Sequence, residues 1–191
     1  NLGKLKEFSK HFSSFDFDLV SQSSLGIISP AESGKTFVEN AIIKARHASS
    51  QAGLPAISDD SGLIVPALNG APGIYSARYA GENATDEQNN HKLLRETNAF
   101  SEESRRCFFV CIIVYMRDCD DSCPLISQGI WKGRIAYSPK GQNGFGYDPV
   151  FIDLNSTKTA AQLNPDRKLT LSHRGKALRE LSKQLSRITK L

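Results

Sequence analysis

The sequence lacks any apolar run long enough to cross a bilayer: its longest, Phe108–Met116, falls well short of the roughly 20 residues that a spanning helix requires. The opening residues Asn-Leu-Gly-Lys-Leu-Lys-Glu have no apolar stretch of the kind a secretory signal carries. Cysteine is scarce, with 4 in 191 residues, which excludes a small disulfide-built scaffold. The four read as C-x3-C twice, Cys107 with Cys111 and Cys119 with Cys123. Zinc pairs use such spacings, but Cys107 and Cys111 fall in Cys-Phe-Phe-Val-Cys-Ile-Ile-Val-Tyr, and positions four apart on a strand lie roughly 13 Å from each other. Free thiols in a reducing, cytoplasmic setting are expected.

Charge of one sign is not in large excess either, at a formal net +4. The balance is uneven, however. Residues 155–191 hold nine Lys/Arg against two Asp/Glu, which leaves residues 1–154 net acidic. A basic end segment suits nucleic acid, an anionic ligand or a solvated helix face, and charge alone does not choose among them. With 39% apolar residues, no repeat and no low-complexity tract, the chain reads as one domain, or two lobes sharing a core.

Helical spacing is visible over residues 3–13, and Phe15-Asp-Phe-Asp-Leu alternates as a short strand would. Thr36-Phe-Val-Glu39 is a capping-box pattern ahead of Phe37, Ala41, Ala45, Ala48 and Ala52 at helical intervals. Leu54–Ile57 reads as a short strand ending in Ser58-Asp-Asp-Ser-Gly62, and Thr85 with Gln88 caps a helix to about residue 97. Apolar runs at 106–117 and 125–137 predict antiparallel neighbours, and Ala177, Leu178, Leu181, Leu185 and Ile188 mark a final helix from about Ser172. The class is α/β with a mixed sheet.

Several segments could carry chemistry. Adjacent strand residues face opposite ways, so Asp59 and Asp60 should have different jobs, one toward a divalent cation and one propping the loop; an Asx-turn is the plain alternative. Glu39 is accounted for by capping, whereas Glu32 lies in a loop and is the better metal-ligand candidate. Gly34-Lys-Thr36 resembles the end of a phosphate-binding loop, but Ser29 stands where that motif needs its first glycine. Gly144-Phe-Gly-Tyr-Asp-Pro149 pairs glycines, which permit close backbone approach, with Phe145 and Tyr147, whose faces suit a base. Ser172-His-Arg-Gly-Lys176 puts cations at a helix start, where the dipole disfavours them, and so calls for an anion or a carbonyl-rich ligand nearby.

Taken with Asn1-x-Gly-Lys4, Thr36-Phe-x-Glu-Asn-Ala, Ser58–Leu63 and Gly70-Ala-Pro-Gly-Ile-Tyr-Ser-Ala-Arg-Tyr79, these motifs resemble, in order and over nearly the whole chain, those of the inosine triphosphate pyrophosphatase (ITPase-like) family. The resemblance implies an elongated two-lobed α/β fold over residues 1–191, with a central mixed sheet, helices on its faces, a cleft between lobes, and a homodimer. It implies Mg2+-dependent hydrolysis of ITP, dITP and XTP to the monophosphate and pyrophosphate, without a membrane or nucleic-acid partner. By motif, Asp60 matches the catalytic aspartate and, with Glu32, the metal-binding acids. Lys4, Lys44 and Lys168 match lysines that face the nucleotide, with Lys44 also placed in catalysis. Asn1, Leu2, Gly3 and Ser61 match substrate contacts, Phe145, Gly146, Tyr147 and Asp148 the base-binding loop, and His173 and Arg174 the pair that reads the purine edge. Family members carry a short apolar strand before the position of Asn1, so the sequence is expected to be a piece lacking that strand. A related pyrophosphatase preferring pyrimidines, or a basic RNA-binding module, are the alternatives.

Overall fold

A computed structural model of the protein describes residues 2–13, 15 and 17–188, and Leu2 and Ile188 by backbone only. Asn1 and the side chain of Leu2, both expected at the substrate, therefore lie outside the described residues, as does the side chain of Ile188. The elements run α1 (Leu2–Phe12), α2 (Phe37–Ala52), β1 (Ala56–Ile64), α3 (Asp86–Glu96), β2 (Arg106–Met116), β3 (Leu125–Ile135), β4 (Phe151–Asp153), α4 (Pro165–Leu171) and α5 (His173–Ile188), with short 3-10 turns between them. The four strands form one antiparallel sheet in the order β1-β2-β3-β4. Gly133 pairs with Asp153 and Ile135 with Phe151 across β3 and β4.

β2 is buried over nearly its whole length, whereas β3 alternates cleanly, with Ser127, Trp131 and Ile135 inside and Gln128, Ile130 and Lys132 outside. The chain divides into two compact units, and the division falls between Asp60 and Ser61, and again between His173 and Arg174. In the first unit (residues 1–60, 111–129 and 174–191), Phe8, Phe12, Ala41, Ala45, Ile113, Val114, Leu178 and Leu181 are buried. Ala41 and Ala45 let α2 lie close to β1, where the Ser58 hydroxyl donates to the Ala41 carbonyl at 2.5 Å. In the second unit (61–110 and 130–173), Leu63, Val65, Leu93, Phe109, Trp131, Tyr147 and Phe151 form one core. Arg105 is buried there and satisfied by carbonyls of Thr97, Ile135 and Ala136. No helix among the described residues is long and apolar enough to cross a membrane.

Two sequence expectations are corrected. Residues 15 and 17–19 form no strand: the Phe15 N–H donates to the Phe12 carbonyl at 2.9 Å, turning the chain so that Phe15 and Phe17 pack on Phe12 with centroids 5.1 and 5.4 Å away. Asp16 lies outside the described residues. The strand expected to stop before Ser58 instead continues to Ile64, because the Asp59 and Asp60 carboxylates find cationic side chains instead of closing a turn on their own backbone.

Candidate active site

The first unit gathers an acid–cation cluster on β1. Adjacent strand positions do send the two aspartates to different partners. Asp60 Oδ1 accepts from Lys44 Nζ at 2.7 Å, and the same ammonium meets Glu32 Oε1 at 3.0 Å. Asp59 Oδ2 faces Lys4 Nζ at 3.0 Å and the Arg174 guanidinium at 3.2 Å, and Arg174 also donates to Glu7 Oε2 at 2.7 Å.

Local structure explains each placement. Thr36 caps α2 by accepting from the Glu39 N–H, and the Glu39 carboxylate accepts from the Lys35 N–H (2.8 Å) and the Thr36 hydroxyl (2.9 Å). Glu39 is thus committed to the cap, and Glu32, in the loop before it, is the acid that reaches Lys44.

Electrostatics in this cluster are under tension. Burial raises the Asp60 carboxyl above the usual carboxylate range, Lys44 pulls it back, and Glu32 pushes it up again. Burial opposes the charge on Lys44, yet Asp60, Glu32 and Asp59 together hold its ammonium above the ordinary lysine value. Asp60 Oδ2 is buried and has no hydrogen-bond partner among the described residues. A buried carboxylate oxygen left so is costly unless something cationic or a water meets it.

Arg174 resolves the cations at the start of α5. The dipole there favours anions, and Asp59 and Glu7 supply them from the protein itself. Sequence reasoning passed over Glu7, although it lies three residues beyond Lys4 on the same helix, a spacing that shares a face.

In the second unit the loop of Phe145–Asp148 and α4 meet. Lys168 Nζ donates to Asp148 Oδ2 at 2.5 Å, lies 4.7 Å from the Phe145 ring centroid, and is 6% exposed. Asp148 Oδ2 also accepts the Phe145 N–H at 2.8 Å. Gly144, at φ +81°, permits this closeness, since a Cβ there would stand 2.0 Å from Asp148 Oδ2. Tyr147 departs from expectation. Its ring belongs to the core and its hydroxyl donates to the Ser76 carbonyl at 2.8 Å, so it anchors the loop, while Phe145 stays half-buried. His173 is buried and stacked on Phe109, with centroids 4.5 Å apart and planes 10° from parallel. Gly3 and Ser61 are half-buried, on α1 and β1. Two cations of the basic end segment, Lys168 and Arg174, thus take part in ion pairs inside the protein.

A sequence profile of the Ham1 family matches residues 1–184. The chain belongs to the Ham1 family. It is 54% identical to a dITP/XTP pyrophosphatase of Erwinia tasmaniensis over 93% of this chain and 87% of that protein. Identity to a dITP/XTP pyrophosphatase of Halorhodospira halophila is 53%, over 95% of this chain and 91% of that protein. A HAM1 protein from Coxiella burnetii superposes with a TM-score of 0.91 at 46% identity, covering 98% of this chain and 95% of that one. The Staphylococcus aureus Ham1 protein gives 0.86 at 42% identity over 97% and 94% of the two chains. The α/β class expected from the motifs is that of these Ham1 structures.

Proposed function

We propose that this Ham1-family chain hydrolyses deaminated purine nucleoside triphosphates (ITP, dITP and XTP) to the monophosphate and pyrophosphate, with Mg2+, as a cytoplasmic homodimer. The names of its relatives support the reaction and the substrate class. The observation that carries it is the pairing of Glu32 and Asp60 through one lysine, with Asp60 Oδ2 buried and unmatched among the described residues.

These residues fit Mg2+, which takes one or two protein carboxylates and fills its other positions with water and substrate phosphates. No group of three or more potential metal ligands occurs among the described residues. Asp60 and Glu32 would hold the ion, which when bound would neutralise phosphate charge and lower the pKa of a bound water.

The remaining work falls to the side chains. Asp60, its carboxyl raised by burial, is the group to accept the proton of the water that attacks the α-phosphorus. Lys44 holds both acids in place and, with Lys4, offers positive charge to phosphate oxygens. In the second unit, Phe145 offers a ring face to the base, Lys168 and Asp148 brace that ring and its N–H, and Tyr147 ties the loop down. Asn1, Leu2, Gly3 and Ser61 are substrate contacts in this reading. Discrimination at purine position 6 rests on donors from His173 and Arg174, since an oxo group accepts where an amino group donates. A donor–donor mismatch costs about 1–3 kcal/mol, a roughly tenfold to hundredfold preference.

A panel of nucleoside triphosphates assayed for pyrophosphate with and without Mg2+ tests the proposal. Turnover of dITP and XTP with little of dATP or dCTP is expected. Release of single phosphates, or a preference for pyrimidines, refutes it.

A further inference from the structure

Helix α3 reaches the Phe145–Asp148 loop through two side chains one turn apart. Asp86 Oδ2 accepts the Gly146 N–H at 2.6 Å, and Asn90 Nδ2 donates to the Gly146 carbonyl at 3.0 Å. Positions i and i+4 share a helix face, so one face of α3 grips both polar groups of one residue. We propose that Asp86 and Asn90 are positioning residues that set the geometry of this loop and thereby the selectivity for the base. The proposal rests on reading the loop as the base-contacting segment.

Gly146 is bonded at both its N–H and its carbonyl. It sits at φ +62°, and a Cβ there would meet nothing within 4 Å. A glycine in that region can exchange its flanking peptide planes readily, and the bonds from Asp86 and Asn90 oppose this. The peptide that Asp86 holds is the one joining Phe145 to Gly146, so it bears directly on the ring beside Lys168.

Asn90 has no simpler purpose in the fold. It is 5% exposed, and its Oδ1 is buried without a hydrogen-bond partner among the described residues. An apolar side chain would fill the same place with no polar atom left over, so the bond from Nδ2 to Gly146 is what the amide contributes. Asp86 does have a second role, because a carboxylate in the first turn favours the helix dipole. Asp86→Asn separates the two: it drops the charge but keeps an acceptor for the Gly146 N–H.

The experiment pairs amide hydrogen exchange over residues 144–148 with steady-state kinetics on dITP and dATP, for wild type, Asn90→Leu, Asp86→Ala and Asp86→Asn. Asn90→Leu and Asp86→Ala are expected to speed exchange in the loop and to raise KM for dITP about tenfold while kcat moves less than about twofold, because a loosened loop weakens ground state and transition state alike. The margin of dITP over dATP should narrow in both, and Asp86→Asn should restore most of it. Wild-type exchange and wild-type selectivity in Asn90→Leu and Asp86→Ala overturn the proposal, as does an Asp86→Asn as impaired as Asp86→Ala. Should the wild-type protein turn over neither nucleotide, the functional reading fails and the selectivity claim with it, while exchange still decides whether α3 holds the loop.

Discussion

Replacing Asp60 by asparagine separates what this residue does for the fold from what it does for a metal and a proton. The side chain is 6% exposed, one oxygen meets Lys44 at 2.7 Å, and the other is buried without a hydrogen-bond partner among the described residues. Asparagine keeps an acceptor for Lys44, and Lys44 keeps Glu32. What is lost is part of a charge-assisted bond, and what is relieved is a carboxylate already disfavoured by burial. The two largely cancel, so in Mg2+-free buffer stability should change by no more than about 1 kcal/mol, roughly 2–4 °C in Tm for a chain of this size. With Mg2+ the variants part. A ligand at about 100 times its Kd adds about 2.7 kcal/mol to the wild-type fold, or roughly 5–10 °C, and asparagine, a poor ligand for this ion, should forfeit nearly all of it. Pyrophosphate release from dITP should fall about 10²–10⁴-fold with the loss of the base. Thermal melts with and without Mg2+, beside a pyrophosphate assay, read all three. An Asp60→Asn protein that keeps the Mg2+-dependent rise in Tm, or most of its rate, refutes the assignment of Asp60.

Gly144→Ala should raise KM for dITP about tenfold or more, because a strained αL backbone is combined with a Cβ 2.0 Å from Asp148 Oδ2 and 3.1 Å from Lys168 Nζ; wild-type KM in that variant contradicts the close packing of this loop. Asp121 gives a pH test away from the site. Hydrogen bonds from the Arg117 guanidinium and backbone, then from the Cys123 N–H, hold its carboxyl well below the usual range. A group depressed on folding contributes stability above its unfolded value, about 3.9, and loses it as pH falls toward the folded value. Denaturant melts between about pH 5 and pH 2 should show a shallower acid decline in Asp121→Asn than in wild type, and parallel declines count against the ion pair.

Those parts of the fold written in local pattern could be read from the sequence. The Thr85–Gln88 capping box on α3 and the apolar runs of β2 and β3 needed only neighbouring residues, and all stand in the structure. The role of Glu39 in the cap of α2 could be read too, from Thr36 three residues before it. What could not be read depended on distant partners. Ser58–Gly62 looks like a turn until Lys44 and Lys4 are brought to its aspartates, and Phe15–Leu19 looks like a strand until Phe12 offers its rings a nearer surface. Tyr147 has the same local context as Phe145, and only the Ser76 carbonyl, far away in sequence, makes it an anchor. Arg105 gives no local sign of burial, since the carbonyls that satisfy it come from Thr97 and from the end of β3.

The pairing of charges in the first unit bears on why a lysine stands between Glu32 and Asp60. Among the described residues, Glu7, Glu32, Asp59 and Asp60 meet Lys4, Lys44 and Arg174 in ion pairs. Asp59 meets two of those cations, and Asp60 and Glu32 both meet Lys44. Like charges close together in a half-buried site resist joint ionisation, which is the direction in which Glu32 moves Asp60. A divalent cation at Asp60 Oδ2 would remove that resistance and leave Lys44 in contact with both acids. Lys44→Met should therefore weaken the protein most in Mg2+-free buffer, because removing one partner of a buried pair costs about 3–5 kcal/mol when nothing replaces it. Added Mg2+ should recover more stability in Lys44→Met than it adds to wild type. Equal Mg2+-induced Tm shifts in the two proteins would mean that the ion and the lysine do not act on the same carboxylates.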